Sequence, residues 1–439
     1  MSRFVFRIFA FVMLFGIIFL AGCSSTTTVN QVPLQPPVNR IPLMTGNSVI
    51  PPFSEESQVI SREWKNLLSI EHPQVFENET IEYKGIKGIF IKGVPYKGKE
   101  TRVFAWVGIP QIPGEKKVPA LVLVHGADAC ADLDWVSYVN SKGYAAISMD
   151  LYGNIPVKEN DKYKMVKNPI ADSWPRGTGG FAQMNDSDSN NWNFHAVAGT
   201  ILAHSIIRSM PGVDKERIGI VGVSFGGYVS CITAAIDERF KFCVPVFGCG
   251  FFDDETKWTR KITKVMGEKG VQWLKRWDAS LYLPNLKIPS LWLTGLNDPY
   301  FSLQSFQKSL SLLPYGNLTL SYKIDLGHGL LVAYQCPEIY AFADSFFKNQ
   351  PPLPVILDTG KNSDKAWVKF KSFQPLHKAF IQFTKDTGLW KERVWKARSA
   401  SIDSVNGEVS ALIPEGTAVY FFALIDQSGN VSTSPYIEL

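Results

Sequence analysis

Histidine is scarce in this chain, with six in 439 residues. Cysteine is equally scarce at six, and no pair stands in a CxxC or other metal-ligand spacing. A thiolate-held zinc or iron–sulfur centre is therefore excluded as the basis of its chemistry. Charged residues are only 19% of the chain and the net charge is +5. No basic block and no aromatic–basic interleaving occurs, which argues against a nucleic-acid partner. Past the first two dozen residues, no apolar run approaches the roughly 20 residues of a membrane-spanning helix. What the chain has in quantity is apolar side chain, 45% of the total. That composition is globular, and the length accommodates one large domain and one small one.

The first residues set an address. Arg3 and Arg7 precede an apolar run from Ile8 to Leu20 that ends in "LAGC" at Cys23. A charged start, a short apolar stretch and small residues before a cut make a signal peptide over residues 1–22. The "LAGC" stretch resembles the lipobox of bacterial lipoproteins, which implies lipidation of Cys23 and attachment to a cell-envelope membrane. Residues 23–55 are Ser/Thr-rich and then Pro-rich ("QVPLQPPVNRIPL"), the composition of a disordered tether. The five cysteines left are Cys130, Cys231, Cys243, Cys249 and Cys336; at least one must be unpaired, and Cys231 and Cys243 suit buried structural thiols.

From Thr80 onward "TIEYKGIKGIFIKG" and "TRVFAWVGIP" predict antiparallel strands. Buried strands follow at "VPALVLVHG", "GYAAISMDLYG", "RIGIVGVS", "KFCVPVFG", "IPSLWLTG" and "LTLSYKID". Helices are predicted over Asp132–Lys142, Trp192–Ser209, the residues after Ser224, and Val332–Lys348. Strand alternating with helix predicts an α/β fold, a doubly wound and mostly parallel sheet, over residues 56–350. Two insertions, Asn154–Asn191 and Phe251–Leu286, follow the carboxyl ends of strands, where such folds place ligands, and are expected to wall a pocket. After "NQPPLPVILD" helix signals stop. Short alternating segments over 351–439 predict an all-β sandwich, and "AVYFFALIDQSGNVSTSPYIEL" resembles the last hairpin of fibronectin type III or Ig-like modules.

The stretch "RIGIVGVSFGGYVSCITAA" places Ser224 between an apolar strand and an apolar helix. Gly222 and Gly226 flank it at two residues on each side, which is what a nucleophile elbow requires. A serine hydroxyl needs a base, and the base needs an oriented carboxylate. Of the six histidines, His72 precedes the sheet and His377 lies in the C-terminal segment. His195 and His204 sit at helical spacing, and His125 opens a loop on another strand, where a structural role is expected. His328, in "DLGHGLL" after the last sheet strand, is the candidate base. Asp298, in the Asp-Pro turn of "LWLTGLNDPYF", is the candidate acid, either instead of or together with a turn-forming role. Asp253 and Asp254 are the fallback acids, and Asp325 is expected within its strand. Oxyanion donors are expected at the backbone N–H of Phe225, next to the nucleophile, and of Ala127, in the loop after "LVLVHG".

Residues from about 80 to 348 resemble the α/β-hydrolase superfamily, with "HGAD", "DLYG", "VDKERIGIVGVSFGGY", "GLNDPYF" and "GHG" in that family's order. "DLYG" with "GVSFGG" is most similar to the branch of dienelactone hydrolases, acetylxylan esterases and prolyl-oligopeptidase catalytic domains. Dienelactone hydrolases carry a cysteine where this chain has Ser224, and the residues ahead of the sheet leave no room for a prolyl-oligopeptidase propeller. The resemblance implies a serine hydrolase acting by acyl transfer with no metal or organic cofactor. A carbohydrate acetyl ester is the expected substrate. The alternatives are a dipeptidyl-peptidase-type enzyme, with Asp253 and Asp254 binding a substrate amine, and a non-catalytic binding protein on a hydrolase scaffold.

Overall fold

A computed structural model of the chain describes residues 63–439, apart from 77–79, 161, 171–172 and 315–317. The expected signal segment, Cys23 and the tether over 23–55 lie outside the described residues. The strands in chain order are β1 (Ile81–Tyr83), β2 (Ile86–Lys92), β3 (Arg102–Gly108), β4 (Val118–Val124), β5 (Ala145–Met149), β6 (Asn154–Glu159), β7 (Lys162–Lys167), β8 (Val213–Val223), β9 (Cys243–Val246), β10 (Ser290–Gly295) and β11 (Leu318–Lys323). Nine of them form one sheet in the order β1-β2-β3-β5-β4-β8-β9-β10-β11, while β6 and β7 pair only with each other. Pairing is antiparallel from β1 through β3 to β5 and parallel from β5 to β11.

The central strand β4 shows why the sheet is wound on both faces. All seven of its residues are buried. Val118, Ala120, Val122 and Val124 join the apolar layer under the helices Trp192–Ser209 and Phe225–Ile236. Leu121 and Leu123 point the other way, into the layer under Leu133–Ser141 and Pro337–Phe347. A strand with period-two side chains and no polar position must be covered twice. The helix Leu133–Ser141 starts where Asp132 caps it, its carboxylate accepting from Trp135 N at 2.7 Å.

The insertion after β5 has structure of its own: "NIPVKE" and "KYKMVK" pair as the hairpin β6–β7. Two local expectations need correction. The helix expected over Val332–Lys348 is two, Leu330–Tyr334 and Pro337–Phe347, because Pro337 cannot donate the next intrahelical bond. Asp325 lies in a turn beyond β11 rather than within it.

After Phe347 the chain turns to strands, with a short 3-10 helix at Trp390–Glu392. β12 (Val355–Asn362), β13 (Lys365–Lys371), β16 (Ser401–Asp403) and β17 (Glu408–Leu412) make one antiparallel sheet. β14 (Lys378–Thr384), β15 (Lys396–Ser399), β18 (Val419–Ile425), β19 (Val431–Thr433) and β20 (Ile437–Glu438) make the other. Strand β18 is shared between two cores: Tyr420, Phe422 and Leu424 fill the sandwich, whereas Val419 and Phe421 belong to the hydrophobic layer of the large sheet. Phe421 meets Tyr322 edge-on at 5.5 Å. The sandwich is thus fused to the parallel-sheet domain by common core, and the described residues group as one unit.

Candidate active site

Strand β8 stops at Val223 and the helix Phe225–Ile236 begins one residue later, so Ser224 alone makes the turn. It does so at φ 59° and ψ −122°, a left-handed conformation that is rare for a residue with a side chain. The surroundings tolerate no bulk. A Cβ on Gly222 would lie 2.1 Å from Gly226 O, and one on Gly226 would lie 1.9 Å from Val124 O. Gly248, which sequence reasoning missed, is as tightly placed, since its Cβ would lie 2.2 Å from Ser224 O. Ser224 N donates to Val246 O at 2.8 Å, locking the turn to the next strand.

The structure brings the three expected side chains together. His328 Nε2 lies 2.8 Å from Ser224 Oγ, and His328 Nδ1 lies 2.6 Å from Asp298 Oδ2. They sit beyond the carboxyl ends of β8, β10 and β11. A carboxylate can only accept, so Nδ1 carries the proton and Nε2 is left to accept from the serine hydroxyl. Asp298 is 4% exposed, and its Oδ1 accepts from Tyr300 N and Phe301 N, each at 2.8 Å. One carboxyl therefore serves as turn former and as imidazole partner. The fallback acids do not take this place: the Asp254 carboxylate pairs with Lys308.

Two aromatic rings bracket His328, and neither carried a sequence signal. Phe247 stacks on it with centroids 4.5 Å apart and Tyr300 lies 4.3 Å away. Phe247 is also a positive-φ residue, at 64°, and its backbone N–H donates to Leu293 O. Lys257 Nζ lies 4.4 Å from the Tyr300 ring centroid.

The loop after β4 passes alongside the serine. A Cβ on Gly126 would lie 3.0 Å from Ser224 Cβ, and Ala127 follows directly. Phe225 is the first residue of its helix, so its N–H has no intrahelical acceptor. His125 is built into the loop: its Nδ1 donates to Gly126 O at 2.9 Å and its Nε2 accepts from Leu151 N at 3.0 Å. Both ring nitrogens are occupied and it faces no reacting group. His195 bonds Ser189 O, and His204 bonds Asp237 while stacking on Phe240. Burial holds all three imidazoles below their ordinary pKa, His195 at about 4, even where a carboxylate opposes the shift at His125 and His204.

These imidazoles make stability pH-dependent. The unfolded chain takes up their protons near pH 6.5 and the folded chain does not, so stability falls as pH drops from about 7 toward 4. The slope contribution is at most about 1.4 kcal/mol per pH unit for each histidine. The thermal midpoint should decline across that interval, and more shallowly in His195→Gln; an unchanged slope would overturn the assignment.

The first insertion forms one wall of a cleft of about 460 Å³ beside the Ala127 loop, with Asp128, Tyr152, Lys167, Arg176 and Thr178 among its lining. The second insertion does not line this cleft. Trp273 and Trp277 are fully buried, and Trp258 packs against Phe225 and Phe301. Trp174, 2% exposed, donates its Nε1 to Leu151 O. Trp174, Trp273 and Trp277 are core, not free faces for a sugar, while Trp258 is half-buried against that core. The five cysteines among the described residues are all unpaired, and Cys231, Cys243 and Cys249 are buried with their thiol pKa values pushed up by burial. No group of three or more His, Cys, Asp or Glu that could hold a metal ion occurs among the described residues, and no described helix is long and apolar enough to cross a membrane.

A mostly parallel sheet with a strained serine at a strand–helix turn and a histidine beyond the last strand makes this chain an α/β-hydrolase. The acetyl xylan esterase family matches residues 61–257, and the prolyl oligopeptidase family matches 170–351. The acetyl xylan esterase from Paenibacillus sp. R4 superposes with a TM-score of 0.51 at 20% identity, covering 65% of this chain and 94% of that one. Acetyl xylan esterase 1 from Thermoanaerobacterium sp. JW/SL YS485 has a TM-score of 0.45 at 19% identity, covering 62% and 88%. The protein YtaP of Bacillus subtilis (strain 168), named as a hydrolase, is 26% identical over 124 residues, which span 28% of this chain and 36% of that relative.

Proposed function

We propose that the protein is a serine esterase that cleaves carboxylic esters, acetylated carbohydrates in particular, through an acyl-enzyme. The observation that carries this is the continuous hydrogen-bonded line from Ser224 Oγ through His328 to Asp298. In this reading Ser224 Oγ attacks the ester carbonyl carbon while its proton passes to His328 Nε2. Asp298 holds Nδ1–H and stabilises the imidazolium. The N–H groups of Phe225 and Ala127 take the oxyanion, a contribution of about 3–4 kcal/mol per donor in characterised cases. Collapse breaks the C–O bond, and the leaving alkoxide receives the proton from Nε2. Water, deprotonated by the same nitrogen, then releases the acid and restores Ser224. Residues 56–350 are the catalytic domain in this reading, and the sandwich over 351–439 braces it.

The acetyl preference rests on the names of the similar proteins, and the ester choice also on Asp254. Its ion pair with Lys308 engages a carboxylate that a peptidase would need for a substrate amine. A p-nitrophenyl ester series beside an aminoacyl p-nitroanilide panel tests the assignment. Turnover of short esters with silent anilides supports it, and anilide turnover reverses it toward the peptidase. Silence of both, with no fluorophosphonate labelling of Ser224, leaves only a binding scaffold.

We further propose, from "LAGC" alone, that the protein is lipid-anchored at Cys23 on a bacterial envelope membrane. Cys23→Ser is expected to lose incorporated palmitate and move to the soluble fraction; retention of both would refute the anchor.

A further inference from the structure

We infer that the cleft beside the Ala127 loop binds the carboxylate of an acidic sugar, so that the preferred ester is carried on a uronate-containing glycan. The inference about the ester rests on the hydrolase reading above, but the binding site does not. The cleft is next to Ser224 by chain geometry: Gly126 packs against the serine, and Asp128 is two residues further, at most about 7 Å of chain. A glycan whose esterified hydroxyl sits at Ser224 therefore extends into the cleft within one or two sugar units.

Its lining has the chemistry of an acidic sugar. Lys167 and Arg176 both face it, and neither is paired with a carboxylate among the described residues. Lys167 is the last residue of β7 and sits opposite Asn154 in the hairpin register, at the hairpin's root beside β5. Arg176 is steadied by one bond, Nη2 to Asn168 O at 3.1 Å, which leaves the rest of its guanidinium fork for a carboxylate. Two cations against the single carboxylate of Asp128 leave the cleft lining with a net positive charge that attracts an anion. The other lining groups suit sugar hydroxyls. Thr178 Oγ1 donates to Tyr152 Oη at 3.2 Å, and Asp128 offers acceptors in the same cleft. Asp128 also disfavours a bare inorganic polyanion and favours a ligand that separates one carboxylate from its hydroxyls.

A direct test needs no turnover. Full-length Ser224→Ala protein is titrated calorimetrically with methyl glucuronide and with methyl glucoside at low ionic strength. The uronate is expected to bind roughly tenfold more tightly. That preference should close when Lys167→Ala and Arg176→Ala are added, and should shrink with salt. Equal binding of the two sugars, no uronate binding, or a preference that survives the double replacement would each overturn the inference. In protein with Ser224 intact, the ratio of kcat/KM for the monoacetylated uronate over the monoacetylated glucoside should follow the binding ratio. If uronate preference appears without ester cleavage, the site stands and the hydrolase reading falls. If esters are cleaved with no uronate preference in either measurement, the hydrolase reading stands and this inference falls.

Discussion

Ser224→Ala is expected to lower kcat for a short ester by about 10⁶, to the level of the oxyanion donors and substrate binding alone. It should also abolish covalent labelling by a fluorophosphonate. The substitution removes one oxygen and nothing else of consequence. Ser224 already holds φ 59° with a Cβ, so alanine inherits the same strain rather than adding to it. The backbone bond from Ser224 N to Val246 O and the glycine contacts around the elbow are untouched. The thermal midpoint should therefore stay close to that of the unaltered protein. A variant that keeps full turnover with an unchanged fold would remove Ser224 from the chemistry.

Asp298→Asn is expected to lower kcat by about 10⁴, with a much smaller change in KM. The reason lies in which oxygen does what. Oδ1 accepts from Tyr300 N and Phe301 N, and an asparagine carbonyl can keep both bonds. Its NH₂ is then left facing His328 Nδ1, where the carboxylate Oδ2 had been. An amide donor there makes Nδ1 the acceptor and moves the ring proton to Nε2. Nε2 can no longer accept the proton of Ser224. The loop stays folded while the base is held in the wrong tautomer, so kcat falls and the thermal midpoint moves little. A loss under tenfold would mean that the imidazole is oriented chiefly by Phe247 and Tyr300, the rings on its two sides.

Much of the site was legible because its constraints are local. Gly222 and Gly226 announce a turn too tight for side chains, and Asp298 before Pro299 announces a turn after a strand. His328 stood out because it alone follows the last sheet strand in a glycine-flanked loop, whereas His125 opens the loop of another strand and the rest lie before the sheet, at helical spacing or in the C-terminal segment. The rings against His328, the packing of Gly248 under Ser224 and the sharing of β18 between two cores had no such signature. Each arises from residues distant in sequence that meet only after the sheet assembles.

The tryptophans show the same division. The segment holding Trp258, Trp273 and Trp277 follows a strand end and was expected to wall a pocket; Trp273 and Trp277 are core, and Trp258 is half-buried against it. Hydrophobicity says that a side chain leaves water, but not which surface covers it.

By itself, then, the sequence determined the α/β alternation, the strained serine and the order in which Ser224, Asp298 and His328 follow one another. Backbone sterics and side-chain periodicity act within a few residues, and chain order is independent of folding. Only the tertiary structure decided the 2.6 and 2.8 Å contacts that join the three, the common core with the sandwich, and the meeting of Lys167 and Arg176 in one cleft without a carboxylate partner among the described residues. Those are distances between separate elements, and they exist only once the packing of the sheet's two faces has brought the loops together.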